Sequence, residues 1–133
     1  KLKKGQFVHS IRIPLFEDNT FKAYKVSKRF DDDISSVCAA FNLEIVKNRI
    51  QNVRIAYGGM AAIPKRAIYC EKILSNSLVT EEIIHKAKKA LEKDFKPISD
   101  MRASGLYRME VAKNLLEKCC AEIKQKKLIG VYF

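Results

Sequence analysis

The stretch Phe41-Asn42-Leu43-Glu44-Ile45-Val46-Lys47-Asn48-Arg49-Ile50-Gln51-Asn52-Val53-Arg54-Ile55-Ala56-Tyr57 reads as two strands joined by a tight turn. Phe41, Leu43 and Ile45 alternate with Asn42, Glu44 and Val46. That period of two puts one set of side chains on each face of a sheet. On the return, Val53, Ile55 and Tyr57 share a face in the same way. Lys47-Asn48-Arg49 suits the turn, because Asn48 tolerates the left-handed backbone that short hairpins need. The pattern extends the two strands to Val37–Val46 and Ile50–Met60.

Upstream, Thr20 to Arg29 carries Phe21, Tyr24 and Val26 and predicts another strand. Phe7, Ile11 and Ile13 predict an earlier one that Pro14 ends, with turn chemistry at Glu17-Asp18-Asn19. Phe30-Asp31-Asp32-Asp33 is an acidic loop, and Asp33 is placed to cap a single helical turn through Ser36. Downstream of the hairpin, Gly58-Gly59 marks a bulge or a close approach of backbone.

The second half changes period. Pro64 suits the first turn of a helix running to about Leu74. Thr80 is a cap for a second helix, with Glu81 and Glu82 at its positive end and Ile83, Ile84, Ala87 and Leu91 as its apolar stripe. Pro97 stops it. Ser104 caps a long third helix, where Met109, Ala112, Leu116 and Cys119 recur at helical spacing. Strands followed by helices predict an α+β domain: an antiparallel three- to four-stranded β-meander with three helices packed on one face.

One domain of 133 residues accommodates this, with 47% apolar residues for a core. No run of apolar residues is long enough to span a membrane. The basic start, Lys1 to Lys4, lacks the apolar stretch of a signal peptide, and the absence of an initiator Met suggests a processed product or a fragment. A net charge of +11 admits nucleic acid or an acidic partner, but the lysines are scattered and no nucleic-acid motif accompanies them. Cys38, Cys70, Cys119 and Cys120 have neither cluster nor zinc spacing, so free thiols in a reducing cytoplasm and no bound metal are expected. His9 and His85 stand far apart, and no nucleophile or metal motif includes them. No glycine-rich phosphate loop is present.

Three blocks carry a family resemblance. Phe21-Lys22-Ala23-Tyr24-Lys25 followed by Arg29 and Asp32-Asp33-Ile34, then Ala56-Tyr57-Gly58-Gly59-Met60-Ala61, then Asp100-Met101-Arg102-Ala103-Ser104-Gly105-Leu106-Tyr107-Arg108 stand in order along the chain. Together they resemble the C-terminal domain of the FAD-binding subunit of xanthine dehydrogenase-type molybdenum hydroxylases, a carbon monoxide dehydrogenase flavoprotein C-terminal-like domain. The resemblance covers nearly the whole chain.

It implies part of an oxidoreductase, inactive alone. Electrons would pass from a molybdopterin centre through [2Fe–2S] clusters in partner subunits or domains to FAD, then to NAD or oxygen. The N-terminal domain that cradles FAD would lie outside this chain. As cofactor-facing residues it implies Lys25 at the flavin ring, Val8 packing against the ring, and Asp32 in the acidic loop near the flavin edge. Asp100, Arg102, Ser104, Tyr107 and Arg108 would form a capping and ion-pair cluster orienting the last helix. A carbon monoxide or aromatic-acyl dehydrogenase stays open within the family. A basic, non-enzymatic nucleic-acid module stays open outside it.

Overall fold

In the computed structural model, residues 2–13, 19–30 and 33–125 are described. The hairpin forms as its periodicity dictates: β2 (Val37–Val46) pairs antiparallel with β3 (Arg49–Gly58). Lys47 and Asn48 alone make the turn, with φ of 48° and 63°. Two successive positive φ values match the twist of the flanking strands, so Arg49 already belongs to β3. A register shift between Glu44 and Ile45 marks a bulge just before the turn.

On the other side of β2 lies β1 (Asn19–Val26), also antiparallel. Two short strands complete the sheet. β4 (Lys65–Arg66) pairs with Ala56 and Tyr57, and β5 (Ser77–Leu78) pairs with Arg49 and Ile50. The path is β1-β2-β3-β4, with β5 beside β3. The helices α1 (Ile68–Leu74), α2 (Glu81–Asp94) and α3 (Gly105–Gln125) follow. The α+β class, the antiparallel meander and the three helices are therefore as the sequence predicts.

The core lies between the sheet and the helices. Val37, Ala39, Phe41 and Leu43 of β2 and Val53, Ile55 and Tyr57 of β3 are buried against Ala87 and Leu91 of α2 and Ala112, Leu116 and Cys119 of α3. A row of aromatic rings crosses it. Tyr24, Phe41, Tyr57 and Phe95 meet edge to face at centroid distances of 5.8, 5.9 and 5.4 Å. The Tyr57 hydroxyl donates to Ala112 O at 2.9 Å, so the sheet is tied to α3 by a satisfied polar group.

Three local expectations are corrected. Residues 7–13 form no strand, and Pro14 lies outside the described residues. Phe7, Ile11 and Ile13 are all exposed, and a strand with neither a ladder partner nor a buried face has nothing to hold it extended. Asp33 caps no helical turn. Its carboxylate accepts instead from the backbone of Arg29 and Ile34 and from the Arg29 guanidinium, and the loop closes through Ser36 N–H to Val26 O. Helix α1 begins at Ile68 rather than near Pro64, because Lys65 and Arg66 take the free edge of β3 and Ala67 N donates to Ile55 O.

Candidate functional site

Alternation along β1 sends Lys22, Tyr24 and Val26 towards the helices and Phe21, Ala23 and Lys25 to the opposite face. The inward set is fixed by α3: the Tyr24 hydroxyl donates to Glu122 at 2.9 Å, and Lys22 pairs with the same carboxylate at 3.2 Å. The outward set is exposed.

Register then composes the outer face row by row. Lys25 stands across from Cys38, which stands across from Gly58. Ala23, Ala40, Ala56 and Arg66 form the next row, and Phe21, Asn42 and Arg54 the one beyond. The first two rows are low: a methyl group, a thiol or no side chain at most positions, with Lys25 rising at one edge. A Cβ added at Gly58 would meet only Cys38 Cβ at 3.6 Å, so the surface there is open. Lys25 makes no ion pair among the described residues. Such a face offers a flat apolar platform with a free cation at its border.

The other two residues expected at this site are Val8 and Asp32. Val8 is 61% exposed in the unpaired segment before β1, and is therefore neither a strand residue nor core. The hydrogen bonds of that segment join Lys3 and Gln6. Asp32, with Asp31, lies outside the described residues; of the acidic loop, Asp33 is held by Arg29.

Behind the Lys25 end of the sheet lies the cluster expected from the third sequence block. Ser104 Oγ accepts from Tyr107 N at 3.1 Å and so caps α3. One oxygen of Asp100, Oδ1, accepts from Arg102 N, Ala103 N and Arg108 Nη2 at 2.8, 3.1 and 2.7 Å. These bonds, the two backbone amides foremost, hold its carboxyl down at about 2. Arg108 is 3% exposed and also donates through Nη1 to Ser36 O and Gly59 O. Gly59 has φ of 80°, and a Cβ there would sit 2.3 Å from Ser36 O. Of the Gly58-Gly59 pair, Gly59 is thus the close backbone approach.

Three buried carboxylates escaped the sequence reading. Glu71 accepts from Ile55 N at 2.8 Å and from Nε and Nη2 of Arg66. Asp94 accepts from Tyr69 N and Cys70 N, and Glu122 anchors Tyr24 and Lys22. Each satisfies internal donors, and no group of His, Cys, Asp and Glu among the described residues is arranged to hold a metal. All four cysteines are free thiols. Burial pushes Cys119 up to about 12 and Cys120 up to about 11, and raises Cys70 as well, so these three are poor nucleophiles. No helix among the described residues is long and apolar enough to cross a membrane.

The same fold occurs within solved oxidoreductases. Carbon monoxide dehydrogenase from Oligotropha carboxidovorans superposes with a TM-score of 0.72 over 84% of this chain and 40% of that one, at 23% identity. Quinoline 2-oxidoreductase from Pseudomonas putida 86 gives 0.69 over 82% and 38%, at 22% identity. The sequence goes further than the fold. Residues 22–123 match the CO dehydrogenase flavoprotein C-terminal domain family, and the chain belongs to it. It is 29% identical over 120 residues to the glyceraldehyde dehydrogenase medium chain of Sulfolobus acidocaldarius, covering 90% of this chain and 42% of that protein. It is 35% identical over 98 residues to xanthine dehydrogenase of Emericella nidulans, covering 71% of this chain and 7% of that protein. The chain therefore spans less than half the length of either relative.

Proposed function

We propose that this chain is the C-terminal domain of the FAD-binding subunit of a xanthine dehydrogenase-like molybdenum hydroxylase, and that the outer face of its sheet covers the flavin. The observation that carries the reading is Lys25, a cation with no ion-pair partner among the described residues, at the border of a platform built from Ala23, Ala40, Ala56, Cys38 and Gly58. A planar ring system fits against so low a face. The diphosphate of FAD finds no glycine-rich cradle in the sequence, so those contacts are assigned to a separate N-terminal domain. When bound, FAD supplies the two-electron carrier between iron–sulfur clusters and NAD or oxygen.

What this chain contributes is shielding and charge. The alanine and glycine rows exclude water from one face of the ring. Lys25 places a positive charge where reduction leaves negative charge at the N1–C2 carbonyl region, and so favours reduction. The xanthine branch is preferred because Phe21-Lys22-Ala23-Tyr24-Lys25 is followed by Asp32-Asp33-Ile34, and the 35% identity to a xanthine dehydrogenase supports it. The three enclosed free thiols fit a reducing cytoplasm.

FAD titration separates the parts. The chain alone is expected to bind FAD weakly, with a dissociation constant above about 1 μM, whereas the same chain joined to a glycine-rich FAD-cradling domain binds it tightly. Sub-micromolar binding by the chain alone would contradict the assignment of the diphosphate to another domain.

A further inference from the structure

We infer that Arg108 is the positioning residue for the Lys25 end of the sheet, acting from the first turn of α3 through the backbone of Ser36. The inference rests on the reading of Lys25 given above. Arg108 reaches three separate segments with one guanidinium. Its Nη1 donates to Ser36 O, at the entry to β2, and to Gly59 O, just beyond β3, while Nη2 donates to Asp100 Oδ1 at 2.7 Å. Ser36 then passes the constraint on: its N–H donates to Val26 O at 2.7 Å, and Val26 follows Lys25 at the last paired position of β1. The row Lys25–Cys38–Gly58 is thus closed at its open end by one side chain.

Three features show that this fixation is specific to a planar fork. Gly59 and Ser36 approach so closely that no Cβ fits between them, and the two carbonyls converge on the same nitrogen. The Arg108 Nε is enclosed without a partner among the described residues, a cost accepted for the placement of the two Nη groups. An ammonium group in its place has one nitrogen, and cannot donate to the two carbonyls from one atom and to Asp100 from another. Two further bonds bind the same loops, Lys28 Nζ to Met101 O at 2.7 Å and Ser36 Oγ to Arg102 O at 3.4 Å. They are exposed or long, so Arg108 remains the rigid member.

The test compares Arg108→Lys, Lys25→Met and the double variant in the assembled enzyme, with Asp100→Asn as a milder release of the guanidinium if Arg108→Lys folds poorly. Amide hydrogen exchange at Ser36 is expected to accelerate about tenfold in Arg108→Lys, roughly the loss of one charged hydrogen bond, while the amides of Tyr69 and Cys70, held by Asp94, keep their protection. The flavin potential is expected to fall in Arg108→Lys, as it falls in Lys25→Met, and to fall no further in the double variant. Unchanged Ser36 exchange overturns the inference. So does an unchanged potential in Arg108→Lys when Lys25→Met lowers it. If Lys25→Met itself leaves the potential in place, the reading of Lys25 fails, and Ser36 exchange still decides whether Arg108 holds the end of β1.

Discussion

Asp94, the last residue of α2, caps the helix before it: its Oδ2 accepts from Cys70 N at 2.9 Å and its Oδ1 from Tyr69 N at the same distance. Ala67, at the N-cap position of α1, has no side chain able to do this, so a carboxylate distant in sequence satisfies the orphan amides. Asp94→Ala leaves one buried and one part-buried donor without this partner. The expected cost is about 2 kcal/mol, read as a lower urea midpoint at unchanged slope, with Asp94→Asn losing roughly half as much. A wild-type midpoint in Asp94→Ala would contradict the cross-cap.

The two adjacent glycines separate by substitution. Gly59→Ala puts a Cβ 2.3 Å from Ser36 O at a φ of 80°, and is expected to destabilise by more than about 2 kcal/mol. Gly58→Ala meets only Cys38 Cβ at 3.6 Å and is expected to fall within about 1 kcal/mol of wild type. Chemical denaturation of both variants checks the order, and equal losses would contradict it.

Acid stability follows from Asp100. Its folded carboxyl is held at about 2, below the ordinary 3.8, so its contribution is fully present above pH 3.8 and is lost as pH falls towards about 2. Asp33, Glu82 and Glu92, each lowered by a hydrogen bond from a basic partner, add to the same slope. Unfolding free energy measured across this window is expected to fall less steeply in Asp100→Asn than in wild type. Parallel curves would remove Asp100 from the account.

Thiol reactivity reports the packing of α3. Cys38 is exposed on the outer face, whereas Cys70, Cys119 and Cys120 are enclosed and burial holds their thiols protonated. Alkylation of the folded chain followed by mass spectrometry is expected to label Cys38 alone, with the other three labelled only in denaturant. Labelling of Cys119 or Cys120 without denaturant would contradict the burial of that helix face.

How far the sequence discloses the molecule depends on whether a signal is local. The β2–β3 hairpin is legible because alternation and turn chemistry lie within a few residues. The caps of α2 and α3 are legible because Thr80 and Ser104 bond their own helices. Helix α1 is misplaced because Lys65 and Arg66 are claimed by a free strand edge, which no local pattern announces. The strand expected at Phe7–Pro14 fails for the converse reason: its alternation is good, but residues 7–13 have no ladder to join. Glu71, Asp94 and Glu122 escape the sequence reading because the donors that bury them lie 5 to 100 residues away. At the candidate site, the outward set of β1 follows from alternation, but the role proposed for Lys25 comes from the family resemblance. The flatness of its surroundings emerges only when register places Ala40, Ala56 and Gly58 beside it.

The redox potential of the flavin in the assembled enzyme, compared between wild type and Lys25→Met, tests the central claim most directly. In the proposed function Lys25 favours the reduced, negatively charged ring, so its removal is expected to lower the two-electron potential by about 20–40 mV, the equivalent of roughly 1–2 kcal/mol between a partly solvated cation and the ring carbonyl. Reduction of the molybdenum centre by substrate is expected to be unchanged. An unshifted potential at full FAD occupancy would contradict the account, and would return Lys25 to the role of a solvated strand residue.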